Sequence, residues 1–347
     1  MAASAGGPRL KAHPCGALEA WFDDADTSPL FRGDGPASIA YGIFISSYLV
    51  WPLIAAALLA SVWSPAVKVA VLLCVLAYLP TLFDKSELKG KPAPGRPWHA
   101  FRLSSCWRLS WRYMRLRLVR SVELPPTAQF VFGIHPHGIL LLSRIAFYAG
   151  VFEQLCPGVQ CRVLAASPMF RVPLVRDICL ALNAVDAGRA TATRVMQAGL
   201  SAMLYPGGSR ELLMTDASKP DQIFLKSRKG FCRLALESGA PLVPVYVFSE
   251  KRCYHRWLPP EGLRRFFLRV LRIPLLVFWG RCCTWLPFRD KRGLLVVMGA
   301  PIAVQKTAEP SAEAIDALHA QYEAALRALY LKWRAHAGYG EEELAVM

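Results

Sequence analysis

Two histidines separated by one proline, His135-Pro136-His137, interrupt the apolar run of residues 129–143, QFVFGIHPHGILLLS. An imidazole titrates near neutrality and is the usual general base for activating a hydroxyl. Strand alternation would put both rings on one face, but Pro136 and Gly138 break that geometry, so either ring can be the one that reaches a cleft. Metal ligation is a competing chemistry. It needs a third and usually a fourth ligand, and His99 and His255 lie in unrelated contexts, so no metal site is expected. A satisfied structural histidine pair is the plainest alternative.

A second group is Tyr205-Pro206-Gly207-Gly208-Ser209-Arg210-Glu211. Gly207 and Gly208 let the backbone approach a ligand closely, Arg210 can grip a phosphate with two N–H groups, and Glu211 can orient an imidazolium. A third is the basic run Lys226-Ser227-Arg228-Lys229-Gly230-Phe231, which opens a helical pattern. Its charge and the helix N-terminal N–H groups could hold a polyphosphate, although solvated surface clusters of this kind are common.

These groups need a scaffold that brings strand ends together. Residues 130–134 are mostly aromatic and β-branched and read as a buried strand, as do 161–166, 201–205, 242–248 and 294–299. Helical patterns lie near 174–182, 189–198 and 228–238. A final helix starts at Ser311, with Ile315, Leu318, Tyr322, Ala325, Leu326 and Leu329 on one face. Alternating strands and helices imply an α/β fold with a largely parallel sheet flanked by helices. Its ligands bind beyond the carboxyl ends of the strands, where both the histidines and the glycine pair fall.

The amino-terminal third is different. Residues 41–63 carry no charged side chain and residues 66–83 carry only Lys68, so the two segments predict a membrane hairpin over 41–83, transmembrane or re-entrant. Lys85, Lys89, Lys91 and Arg96 follow it and place that side, and with it both termini, in the cytosol. Residues 1–38 are rich in Gly, Pro and charge and read as a flexible arm without a cleaved signal peptide. Residues 84–122 form a basic segment; within it, 101–120 hold six arginines among Trp107, Trp111 and Tyr113 and predict an interfacial helix on anionic headgroups. The stretch 262–279, apolar and basic, is expected against the sheet or on the membrane. A catalytic body over 123–338 and a tail over 339–347 complete the division.

The 347 residues are 54% hydrophobic, and 41 basic against 25 acidic side chains leave +16. With a mean hydropathy of +0.29, part of the chain is expected in a bilayer, and the charge suits anionic lipid or polyphosphate. Nucleic acid is not expected, because no recognised binding module accompanies the basic runs. The ten cysteines have no CxxC pair and read as reduced, and the single asparagine, Asn183, makes no glycosylation sequon.

The ordered set HPHG, SPMFRVPLVRDICLALNAV, GGSRE, LKSRKGFCRLALESGAPLVPVYVFSE and LHAQYEAALRALY resembles the type-2 diacylglycerol acyltransferase family, over about residues 41–338. That family includes monoacylglycerol and wax-alcohol acyltransferases. The resemblance implies a glycerolipid-acyltransferase-like fold and an enzyme of the endoplasmic reticulum membrane, also found at lipid droplets, with a cytosol-facing catalytic body. It transfers an acyl group from acyl-CoA, a co-substrate, to diacylglycerol, with no metal or redox cofactor. Within it His137 matches the catalytic histidine, with His135 its companion, and Glu211 matches the acid of a GGxxE pattern. Arg228, Lys229, Gly230 and Phe231 match an RxGF segment, and Glu250 matches the acid of an FGE that reads Phe248-Ser249-Glu250 here. Gly138, Gly207, Gly208, Arg210, Arg228, Lys229, Gly230 and Glu250 are the expected substrate-binding set. A monoacylglycerol, long-chain alcohol or sterol acceptor stays open, as do a homo-oligomer and, more remotely, a noncatalytic hairpin protein of lipid droplets.

Overall fold

In a computed structural model, residues 7–22, 57–58, 64–270 and 275–347 are described. Nine strands form one sheet: β1 Arg9–Ala12, β2 Leu18–Trp21, β3 Arg117–Arg120, β4 Val131–His135, β5 Cys161–Ala165, β6 Ala184–Asp186, β7 Ser201–Leu204, β8 Leu242–Phe248 and β9 Leu295–Met298. Their spatial order is β1-β2-β3-β9-β8-β4-β7-β5-β6. The run from β8 to β6 is parallel throughout, whereas β1-β2, β2-β3 and β9-β8 pair antiparallel. The chain is therefore a mixed α/β protein whose parallel half carries the histidines. The strands expected from apolar, β-branched runs all form. The short β6 and β3, whose two apolar residues lie between arginines, gave no such signal.

Around the sheet lie α1 Pro65–Phe83, α2 His99–Leu103, α3 Trp107–Tyr113, α4 Val175–Ala181, α5 Arg189–Gln197, α6 Gly208–Met214, α7 Gly230–Ser238, α8 Glu261–Val270 and α9 Ala312–Arg334. Strand alternation divides the interior into two cores. Phe130, Phe132 and Ile134 of the β4 region face one with Val243, Val245 and Val247. Val131 faces the other, with Phe231 of α7 and Tyr322 and Leu326 of α9. Ser311 caps α9 by accepting the Ala314 N–H, as its position in the sequence predicts, and Ile315, Leu318, Tyr322, Leu326 and Leu329 are buried on one face. Ala325 is only partly buried.

Three expectations change. Residues 9–21, read as part of a flexible arm, form a hairpin that extends the sheet through β2 and β3. Residues 101–120 are not one interfacial helix: they end in β3, and Trp107, Trp111 and Tyr113 are buried. Aromatic residues among arginines have the same composition at a lipid interface and in a core, and only packing distinguishes the two. The tail also joins the body, since Ala345–Val346 pairs in parallel with Gln222–Ile223 and the Tyr339 hydroxyl accepts the Ser249 N–H at 2.7 Å.

Helix α1 is 19 residues long with a mean hydropathy of 2.2, and none of its side chains is buried. It is long and apolar enough to cross a membrane. Apart from residues 57–58, the first half of the expected hairpin lies outside the described residues. The carboxyl end of α1 is held to the body by Arg176 of α4, which donates to the Thr81 carbonyl at 2.6 Å and pairs with Asp84 and, at 2.8 Å, with Glu87.

The buried face of α9 closes the second core, so Leu326→Ala leaves a cavity beneath the sheet. It should destabilise the purified protein by about 2–5 kcal/mol, read as a lowered thermal midpoint; an unchanged midpoint would show that this contact does not bear on the fold.

Candidate active site

Strand β4 ends at His135, and the chain turns through Pro136, His137 and Gly138 before the short 3-10 helix Leu142–Phe147. The next strand in the sheet, β7, ends at Leu204, and its turn through Gly207 starts α6. Adjacent parallel strands thus bring the two sequence groups to the same sheet edge, as expected for an α/β site.

Glu211, on the first turn of α6, joins them. Its Oε1 lies 2.9 Å from His135 Nδ1 and accepts the Phe224 N–H at 3.0 Å; its Oε2 accepts the His137 N–H at 2.8 Å. A carboxylate only accepts, so His135 carries its proton on Nδ1. His135 has no exposed surface, and its Nε2 is buried without a hydrogen-bond partner among the described residues. The Gly207 position explains part of the glycine turn, because a Cβ there would run into the Glu211 carboxylate. Gly208 serves differently: its φ of +55° starts α6 in a conformation that favours glycine.

His137 is partly exposed and differently held. Its Nδ1 lies 2.9 Å from the Gly138 carbonyl, which can only accept, so the proton is on Nδ1 and Nε2 keeps its lone pair. Burial lowers the pKa of this imidazole, against the opposing effects of the Gly138 carbonyl and the Glu211 charge, so the ring is neutral at pH 7. The Tyr205 ring meets it edge-on at 5.6 Å, and the Tyr205 hydroxyl is 3.0 Å from Ser143 Oγ. Glu211 does not touch the His137 ring. It holds the backbone of His137 and the ring of His135 instead, so one histidine ring is partly exposed and the other is buried.

Glu250, expected among the substrate-binding residues, is engaged inside the protein. Its oxygens accept the N–H groups of Leu142 at 2.7 Å and Ser143 at 2.9 Å, at the start of the 3-10 helix. Gly138, with φ +63°, leaves room for the Glu250 side chain where a Cβ would collide with it. Glu250 therefore fixes the far side of the histidine turn. Burial outweighs the two backbone hydrogen bonds and raises its pKa from 4.5 to about 7.

The basic run is divided. Arg210 and Arg228 stand over the Phe224 ring at 4.8 and 5.3 Å, and Arg228 reaches the Gly207 carbonyl at 3.4 Å. Desolvation and the neighbouring Arg210 charge lower the Arg228 pKa, a disposition that an anion between the two would relieve. Lys229 instead pairs with Asp316 of α9 at 2.5 Å, and Gly230 has open space around it. Sequence reasoning missed Phe224 and Tyr322 as site residues. Tyr322 donates to the Gly133 carbonyl at 2.9 Å and lies 6.1 Å from the His135 ring. Their spacing in the chain carries no signal, because each reaches the site from another element.

Among the described residues, the one set of three side chains close enough to share a metal ion is His13, Glu19 and His336, on the β2 side of the sheet. The Arg117 guanidinium already lies 3.1 Å from His336 Nε2 and 3.4 Å from Glu19, and its charge opposes a cation there.

The family model for diacylglycerol acyltransferase matches residues 67–347. The chain belongs to that family. It is similar to diacylglycerol O-acyltransferase 2 of Danio rerio, 29% identical over 259 residues that cover 68% of this chain and 71% of that protein. It is 30% identical to 2-acylglycerol O-acyltransferase 3 of Homo sapiens, over 70% of this chain and 76% of that one. Identity is also 30% with diacylglycerol O-acyltransferase 2B of Umbelopsis ramanniana, over 73% and 76%. A crystal structure of the 1-acyl-sn-glycerophosphate acyltransferase of Thermotoga maritima aligns with a TM-score of 0.42 at 14% identity, covering 86% of this chain and 96% of that chain.

In this family member the raised Glu250 carboxyl gives a pH signature. The folded state keeps the Glu250 proton between pH 4.5 and about 7, where the unfolded chain has lost it, so this group's contribution to stability falls as pH rises through that window. Glu250→Gln should flatten the thermal midpoint against pH between those values. Parallel curves for the two proteins would assign the slope to other groups.

Proposed function

We propose that this acyltransferase moves an acyl group from acyl-CoA to the free hydroxyl of diacylglycerol, making triacylglycerol at the endoplasmic reticulum membrane and on lipid droplets. The observation that carries the reading is the neutral, partly exposed His137, its Nδ1 proton held by the Gly138 carbonyl and its Nε2 lone pair left for a substrate. Nε2 takes the acceptor's hydroxyl proton as the oxygen bonds to the thioester carbonyl carbon. The tetrahedral intermediate then loses the C–S bond, and the CoA thiolate recovers the proton from His137. A thioester is already activated, so the reaction needs neither an acyl-enzyme nor a redox group.

The remaining site residues take supporting roles. Glu211 and His135 fix the histidine turn, and the Glu211 carboxylate adds negative charge near the imidazolium that forms. The Arg210 and Arg228 guanidinium groups, lying over Phe224, suit the CoA phosphates. Gly208 N–H is committed to the Tyr205 carbonyl at 3.2 Å, so the Gly207 N–H or Arg210 would stabilise a developing oxyanion. The exposed, apolar α1, as half of a membrane hairpin, keeps the active site beside an acceptor that stays in the bilayer. A noncatalytic lipid-droplet coat would need that helix but not a buried carboxylate joined to three N–H groups.

Expression in a host without neutral-lipid synthesis tests the assignment. His137→Ala should lower triacylglycerol formation by about 100-fold or more while leaving the protein folded, and the acid limb of the wild-type rate profile should lie below the ordinary histidine value of 6.5. Full activity in His137→Ala would remove this histidine from the mechanism. In the same membranes, labelled acyl-CoA offered with diacylglycerol, monoacylglycerol, a long-chain alcohol or a sterol identifies the acceptor. Label entering any of the last three in preference would replace the diacylglycerol assignment.

A further inference from the structure

Helix α8 packs against nothing that buries it: none of its ten residues is buried. Its polarity is nevertheless ordered, with Leu268 the one apolar side chain, 42% exposed, that falls among the arginines. Leu263, Phe266, Phe267 and Val270 recur at spacings of three and four and share one face, with Leu263 46%, Phe266 58% and Val270 61% exposed. Glu261, Arg264, Arg265 and Arg269 lie on the other side, where Arg265 pairs with Glu261 and Arg264 donates to the Pro259 carbonyl at 2.8 Å. The helix springs from the two-stranded pair His255–Trp257 and Val277–Trp279, in which Trp257 and Val277 are direct cross-strand partners, 55% and 47% exposed. An apolar stripe, an exposed tryptophan and three arginines against one acid therefore occupy a single projection of the fold.

Water is a poor solvent for this stripe, and the arginines give it a second requirement, an anionic partner. We propose that α8 with its strand pair is a second membrane-contact element, lying in the plane of an anionic lipid surface, separate from α1. In that position Leu263, Phe266 and Val270 enter the boundary of the acyl chains, Trp257 sits at headgroup depth, and the arginines meet lipid phosphates and carboxylates. The element also has a direct link to the active site. Arg256, beside Trp257, donates to the carbonyl of Leu213 on α6, two residues beyond Glu211. Docking of the projection thereby sets the position of the helix that carries the central carboxylate.

The test uses the full chain in vesicles of phosphatidylcholine alone or of equal parts phosphatidylcholine and phosphatidylserine, with a photoreactive benzoylphenylalanine at Phe266 or, as the polar-face control, at Arg265. Lipid adducts should form about fivefold more at position 266 than at 265, and more in the anionic vesicles, with that excess lost in high salt and in Arg264→Glu/Arg269→Glu. Because α1 still holds each variant in the bilayer and α8 buries no side chain, a lost signal reports this contact rather than release or unfolding; an unchanged thermal midpoint checks the latter. Equal adducts at the two positions, or adducts from 266 to another segment of this chain or to a second copy, would overturn the proposal.

Discussion

The Glu211 carboxylate is the interaction on which the site depends. It lies in the interior and accepts three N–H groups from three segments: the His135 ring at the end of β4, the His137 backbone in the following turn, and Phe224 ahead of α7. A buried carboxylate is tolerated only when its lone pairs are met, so these segments are held together or the charge is left uncompensated. Glu250 repeats the device across the turn, meeting the N–H groups that open the 3-10 helix. The backbone around His137 is thus held from both sides by acids that accept its N–H groups. Gly207 and Gly138 follow from the same arrangement, since each lacks the Cβ that would displace one of the two carboxylates.

Around this centre the protein separates its cations by task. Arg176 is buried and spends its charge on Asp84 and Glu87, tying α1 to α4. Arg210 and Arg228 both stack on Phe224, and the Arg210 charge helps lower the Arg228 pKa. Lys229, which belongs to the same basic run, is taken up by Asp316. A net charge of +16 is consequently a poor guide to any one residue's role.

Much of the fold was legible because strand burial leaves a direct mark on composition. The apolar, β-branched segments around β4, β5, β7, β8 and β9 pack on both faces of a sheet, and α9 shows its spacing and its Ser311 cap. The segment holding Trp107 and Trp111 was misread, since arginines beside tryptophans occur equally on lipid and over a core. The hairpin of β1 and β2 was hidden because four-residue strands, one of them wholly exposed, carry almost no periodic signal. In the site, the histidines, the glycine turn after Tyr205 and Glu211 stood out by type and spacing, whereas Phe224 and Tyr322 did not.

The sequence by itself determined the chemistry available: imidazoles at a strand end, an acid after a glycine turn, a basic run, and an apolar helix long enough to span a bilayer. Local rules suffice for these, because side-chain type and short-range spacing are properties of the chain. Only the tertiary structure decided which groups meet. It gave Glu211 to the His135 ring and the His137 backbone, engaged Glu250 with the backbone of the histidine turn, and left the His137 ring partly exposed. Those outcomes depend on the order of strands in the sheet and on which side chains lose their water, and neither is a property of neighbouring residues.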